Sequence, residues 1–206
     1  MNENWLGRKS QAVMYALATV GRRVAGRSDV RRWSDTASLE TEWDRRTIAM
    51  ASLVPEDVTV LEFGAGRLVL SRHLPRSCRY IPSDICDRGA GTFVCDLNER
   101  PLPVFPPHDV AVFSGVLEYV NDVPGVIDHL RGSARAIVVS YVAAPARNLL
   151  VRLKRRRAGW VNDYAGAELV ALFHGYGFSL VREVPFQGTQ NIYCFARRPS
   201  GRDGCS

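Results

Sequence analysis

Apolar positions change their spacing near Val54, and that change divides the chain. Before it they recur at intervals of three and four residues, the helical period. In residues 5–26, Leu6, Val13, Met14, Leu17 and Val20 follow this spacing, and Gly26 suits a helix end. Residues 38–53 repeat the pattern with Leu39, Trp43, Ile48 and Met50. The polar stretch 31–38 between them reads as a loop. Beyond Val54, short apolar runs alternate with helical segments. Strands are predicted at 58–63, 79–82, 92–95, 109–114 and 136–141, with helices at 67–74 and 123–130. Such alternation predicts βαβ units and a parallel sheet covered on both faces. The ending differs. A helix over 165–176 precedes strands at 178–185 and 191–197, joined only by residues 186–190. So short a link predicts an antiparallel pair, because a parallel crossover needs about a dozen residues.

The run Val60-Leu61-Glu62-Phe63-Gly64-Ala65-Gly66 places an acid and Gly-x-Gly at the end of a buried strand. Glycines there allow a sharp turn and a ligand close to the backbone. Asp84 ends the next strand, where a carboxylate can accept ribose hydroxyls. Asp96 ends the third, where it also suits the start of a turn before Leu97-Asn98. Ser114 closes the fourth strand, where a small residue also packs well.

This constellation resembles the class I S-adenosylmethionine-dependent methyltransferases from about residue 59 to residue 197. Glu62-Phe63-Gly64-Ala65-Gly66 is similar to the family's first motif, and Tyr80-Ile81-Pro82-Ser83-Asp84 to its second-strand acid motif. Cys95-Asp96-Leu97 resembles the adenine-side turn, and residues 109–119 the fourth strand with its following turn. Leu68 stands where the family usually has a third glycine. A nicotinamide dehydrogenase fits less well, because Val69 fills the last glycine of that fingerprint. The resemblance implies a Rossmann-like α/β fold: a mostly parallel seven-stranded sheet, helices on both faces, and an antiparallel final hairpin. It implies S-adenosyl-L-methionine as cofactor, with Glu62, Gly64, Ala65 and Gly66 by its methionine and ribose parts. Asp84 and Ile85 would border the ribose, Asp96 and Leu97 the adenine, and Ser114 the methionine end. Residues 54–198 would form the methyltransferase domain, residues 1–53 a helical cap, and residues 199–206 a disordered tail.

Methyl transfer needs a base only when the acceptor must lose a proton. Glu118 and Tyr119 follow the fourth strand and are the catalytic candidates; Tyr141, Asp163 and His174 are weaker ones. An acid at Glu118 also suits the first turn of a helix. The histidines do not cluster with cysteines or acids, so no metal site is expected.

Composition narrows the partners. Hydrophobic residues at 46% and charged residues at 23% are globular values, against disorder or a disulfide scaffold. Mean hydropathy is −0.11, and no apolar run approaches the ~20 residues of a membrane span. Five irregularly spaced cysteines without C-x-x-C suit a reducing, cytoplasmic compartment. The net charge is +6, carried by 25 arginines and only two lysines. One basic cluster, Arg152-Leu153-Lys154-Arg155-Arg156-Arg157, precedes Trp160. It suits an anionic acceptor or nucleic acid as well as a solvated helix face. The first helix, with Arg8-Lys9 and Arg22-Arg23 around an apolar centre, suits a membrane surface, although packing across the domain is the favoured reading. The expected function is methyl transfer to a small-molecule or sugar-containing acceptor, at oxygen. The alternatives are an RNA or other nucleic-acid methyltransferase and a non-catalytic binding protein.

Overall fold

The alternating pattern after Val54 becomes a seven-stranded sheet in this computed structural model, which describes residues 3–89, 91–145 and 148–198. The tail beyond residue 198 lies outside the described residues. The strands are β1 (Thr59–Phe63), β2 (Arg79–Asp84), β3 (Phe93–Val94), β4 (Val110–Ser114), β5 (Ala136–Val142), β6 (Phe178–Gln187) and β7 (Gln190–Arg197). Their order is β3-β2-β1-β4-β5-β7-β6. Strands β1 to β5 pair in parallel, whereas β7 runs antiparallel to both β5 and β6. The final hairpin is tighter than expected, with only Gly188 and Thr189 between its strands.

Alternation along each strand sorts its side chains onto two faces. Leu61, Phe63, Ala111, Phe113, Ile137, Val139, Tyr193 and Phe195 join one buried cluster. Val60, Val110, Val112, Val138, Ile192 and Cys194 join the other. Helices α4 (Val123–Leu130) and α6 (Gly166–Gly175) supply Val126, Ile127, Leu169 and Phe173 to the first cluster. Helix α3 (Asp44–Ala51) supplies Met50 and Ala51 to the second. Pro82 is tolerated in β2 because β3 reaches only Ser83 and Asp84, leaving β2 an edge before them.

Three sequence expectations fail. Residues 67–74 form only a 3-10 turn at Leu70–Arg72 instead of a helix. Leu68 takes φ of +57°, a left-handed conformation that a right-handed helix cannot contain. Residues 38–53 also break. Leu39 and Glu40 are extended, so two 3-10 turns precede α3 instead of one long helix. The expected loop at 31–38 contains the short helix α2 (Val30–Ser34). Helix α1 (Glu3–Ala25) packs against α5 (Leu149–Arg157), whose first turn is capped by Asn148 Oδ1 accepting from Val151 N at 2.9 Å.

Candidate active site

Strand order reverses between β1 and β4, and at their carboxyl ends a cavity of about 360 Å³ opens. Crevices at such reversals are where open α/β sheets bind ligands. The expected cofactor-side residues and the two leading catalytic candidates line it: Glu62, Gly64, Ala65, Gly66, Asp84, Ile85, Asp96, Leu97, Ser114, Glu118 and Tyr119.

The glycine turn is built for close approach. Gly64 has φ of +69°, and a Cβ there would lie 2.5 Å from Val116 Cγ2. Conformation and space therefore both demand glycine. The turn is stitched to β2 by two bonds. Ala65 N donates to Ser83 O at 3.0 Å, and Gly66 N donates to Asp84 Oδ2 at 2.8 Å.

The three acids have distinct surroundings. Asp84 is buried and paired with Arg88, whose Nε lies 3.1 Å from Oδ2 and whose Nη2 donates to Oδ1 at 3.2 Å. Its carboxylate therefore serves the fold as well as facing the cavity. Glu62 is buried, and Tyr80 Oη donates to its Oε2 at 2.5 Å. Burial pushes the Glu62 carboxyl up to about 8, with the Tyr80 bond pulling the other way. Asp96 accepts from Ser28 Oγ at 2.6 Å and from its own turn at Asn98 N, 2.9 Å. The turn reading of Asp96 and its place in the cavity thus hold together.

The cavity-facing residues of the segment ahead of the sheet were not among the sequence candidates. Ser28, Arg32, Trp33, Trp43, Asp44, Arg46 and Thr47 all line the cavity, and Trp33 lies in the stretch expected to be a loop. Arg46 reaches from α3 across Gly115. Its Nε donates to Ser114 Oγ and its Nη2 to Ser114 O, both at 3.1 Å. A Cβ on Gly115 would sit 2.6 Å from the guanidinium. Ser114, expected at the methionine end of the cofactor, thus has its carbonyl covered by Arg46. Trp33 packs edge-on against Tyr119 at 4.8 Å between ring centroids, and Trp160 Nε1 donates to Tyr119 Oη at 3.1 Å.

Of the base candidates, only Glu118 and Tyr119 line this cavity. Glu118 is buried; Val142 N donates to its Oε1 at 2.8 Å, and its Oε2 has no hydrogen-bond partner among the described residues. Burial raises its pKa, while the Val142 bond, Arg46 and Arg155 oppose the rise. Burial pushes the Tyr119 hydroxyl up to about 12, which keeps it protonated at neutral pH. Tyr141 is buried against Asn162 and Arg155. His174 lies in a separate recess with Gly166 and Tyr193. The basic cluster is not a uniform patch, because Arg155 and Arg156 turn inward to Asp163, at 3.2 Å and 2.5 Å.

Known proteins share this architecture. The solved structure of CalO1, a methyltransferase in calicheamicin biosynthesis with SAH bound, is 19% identical, with a TM-score of 0.57. The alignment covers 78% of this chain and 55% of that one, so this chain spans little more than half of that relative. The 1,6-didemethyltoxoflavin-N1-methyltransferase of Burkholderia thailandensis is 14% identical over 93% of this chain and 90% of its own, with a TM-score of 0.58. An O-methyltransferase family 2 protein of Planctomyces limnophilus, in complex with apigenin, is 13% identical over 85% and 64%, with a TM-score of 0.63. At these identities the likeness concerns the fold. No curated protein matches the chain. A family model described as a methyltransferase domain matches residues 33–183, from the covering segment to the last strand pair. That match spans most of the sequence and includes the glycine turn, both strand-end acids and Glu118, and the chain belongs to this methyltransferase family, of the class I S-adenosylmethionine-dependent type.

Proposed function

We propose that this protein moves the methyl group of S-adenosylmethionine to an oxygen of a small-molecule acceptor. In this reading residues 54–198 hold the cofactor and residues 1–53 cap it. One observation carries the proposal. The cavity that holds the glycine turn also holds Glu118, a buried carboxyl with an unpartnered oxygen.

The residues present fit adenosylmethionine. Its methionine end carries an ammonium and a carboxylate; Arg46 offers a positive charge to the carboxylate, and Glu62, once ionised, a negative one to the ammonium, in the same cavity. Asp84 and Asp96 offer acceptors to ribose hydroxyls and an adenine amino group, and Ile85 and Leu97 offer apolar surface. Gly64 and Gly66 carry no Cβ, so a ligand can come close to the backbone of this turn. When bound, the cofactor supplies an electrophilic methyl carbon on a sulfonium.

The protein's part is placement, water exclusion and one proton. Trp33, Trp43 and Tyr119 roof the cavity with aromatic surface. In-line displacement depends strongly on such placement. Glu118 Oε2 takes the proton that a hydroxyl acceptor loses, and its raised pKa makes the ionised form a stronger base. Tyr119 keeps its proton and positions the acceptor. The relatives' names lend support: one is an O-methyltransferase family 2 protein in complex with apigenin.

Calorimetric titration with adenosylmethionine, then an acceptor screen reading homocysteine release, tests the proposal. Saturable binding and turnover on hydroxylated small molecules are expected. Glu118→Gln should lower kcat by about 10²-fold or more with binding of the cofactor retained. No cofactor binding at millimolar concentration would refute the enzyme reading. Turnover restricted to amine acceptors would refute oxygen as the target.

A further inference from the structure

Helix α1 is inside out. Its small residues Ala16 and Thr19 are buried, while Val13, Leu17, Val20 and Val24 form an exposed stripe at helical spacing. Leu17 is 62% exposed and Val24 84%. Its packing partner α5 does the same with Leu149, Leu150 and Leu153, Leu150 being 78% exposed. Soluble domains rarely leave such apolar rows uncovered without a partner.

The charge around these rows says which partner. Residues 11–35 and 148–163 hold ten arginines and lysines against three aspartates. Those two stretches alone exceed the +6 of the whole chain, so the remainder is close to neutral. Each aspartate already has a partner within the chain. Asp29 pairs with Arg22 at 3.0 Å, Asp163 with Arg155 and Arg156, and Asp35 accepts from Ala37 N. Arg27, Arg31, Arg152, Lys154 and Arg157 are exposed.

We propose that α1 and α5 dock this protein on an anionic lipid bilayer surface. The exposed apolar rows enter the headgroup boundary, and the arginines and lysines meet anionic headgroups. Leucine side chains uncovered beside lysine and arginine suit a lipid interface, where long basic side chains keep their charge in the polar layer. A nucleic acid would use the cations and leave the apolar rows in water. A second copy would bring two like-charged faces together.

Co-sedimentation of the full chain with phospholipid vesicles tests this. Vesicles of phosphatidylcholine with about one-third phosphatidylglycerol should bind it, and pure phosphatidylcholine should bind it far less. Lys154→Ala with Arg157→Ala should weaken binding to the anionic vesicles about thirtyfold, at ~1 kcal/mol for each charge. Leu17→Glu should weaken it further with the thermal midpoint unchanged, because that side chain is exposed. No binding to anionic vesicles overturns the proposal. So does binding that survives Leu17→Glu, or a dimer in solution that Leu17→Glu dissociates while vesicles leave the chain free. Binding to a short RNA with no vesicle binding overturns it in favour of nucleic acid.

Discussion

Arg46 donates two hydrogen bonds to Ser114, so a side chain from ahead of the sheet closes the end of its central strand β4. The same guanidinium interacts electrostatically with Glu118, Tyr119 and Glu62, which all line the cavity. Arg46→Met should weaken adenosylmethionine binding about tenfold to a hundredfold, the loss of a charge-assisted hydrogen bond. Titration calorimetry of both forms measures it, and unchanged affinity removes Arg46 from the cofactor site.

Glu62 ties stability to pH. Its folded-state pKa of about 8 lies above the ordinary 4.5, so the folded chain holds this proton more tightly than the unfolded chain. The group therefore favours folding most below about 4.5, and that contribution is lost as pH rises through about 8. Glu62→Gln keeps a neutral acceptor for Tyr80 and should flatten this fall. Denaturant midpoints from about pH 5 to about pH 9 check it. Cofactor binding should run the other way in the wild type, strengthening as Glu62 ionises and faces an ammonium.

Asp84 faces two demands. Asp84→Ala should weaken cofactor binding by about 1–3 kcal/mol. It should also destabilise the free chain by about 3–5 kcal/mol, because Arg88 is left as a buried, unpaired cation. Adding Arg88→Met should restore much of that stability but none of the binding. Chemical denaturation beside calorimetry separates the two effects.

Gly64→Ala sets a methyl group 2.5 Å from Val116 Cγ2 and forces alanine to φ of +69°. A stability loss of about 1–2 kcal/mol is expected from the backbone alone. Adding Val116→Ala should relieve the contact and only that. If the double variant recovers full stability, the left-handed turn is not the constraint.

Tyr119→Phe distinguishes placement from proton transfer. Its hydroxyl stays protonated up to about 12, so the variant should keep the pH profile of kcat and shift KM. Glu118→Gln should instead remove the acidic limb of that profile. A lost limb in Tyr119→Phe would assign the base to tyrosine.

Much of this protein was legible in the order of its residues. Period-two alternation in Val60-Leu61 and Val110-Ala111 names the two sheet faces, because a strand in a covered sheet can sort side chains only that way. The short link after Pro185 forces β6 and β7 antiparallel, because chain length forbids anything else. Glu62, Gly64, Gly66, Asp84 and Asp96 were readable because strand ends at a reversal of sheet order converge without help from distant segments. Leu68 marks the limit of local reading: its left-handed backbone ends a helix that the side-chain pattern alone supports. Arg46, Trp33 and Arg88 became part of the site only through tertiary structure. Residues 28–47 fold back over strand ends that lie dozens of positions later, and nothing local encodes that contact. The charge was visible from the start as an excess of arginine, but its division was not. Packing turned Arg155 and Arg156 inward to Asp163 and left Lys154 and Arg157 in water beside exposed leucines, because a helix face is assigned by what it packs against.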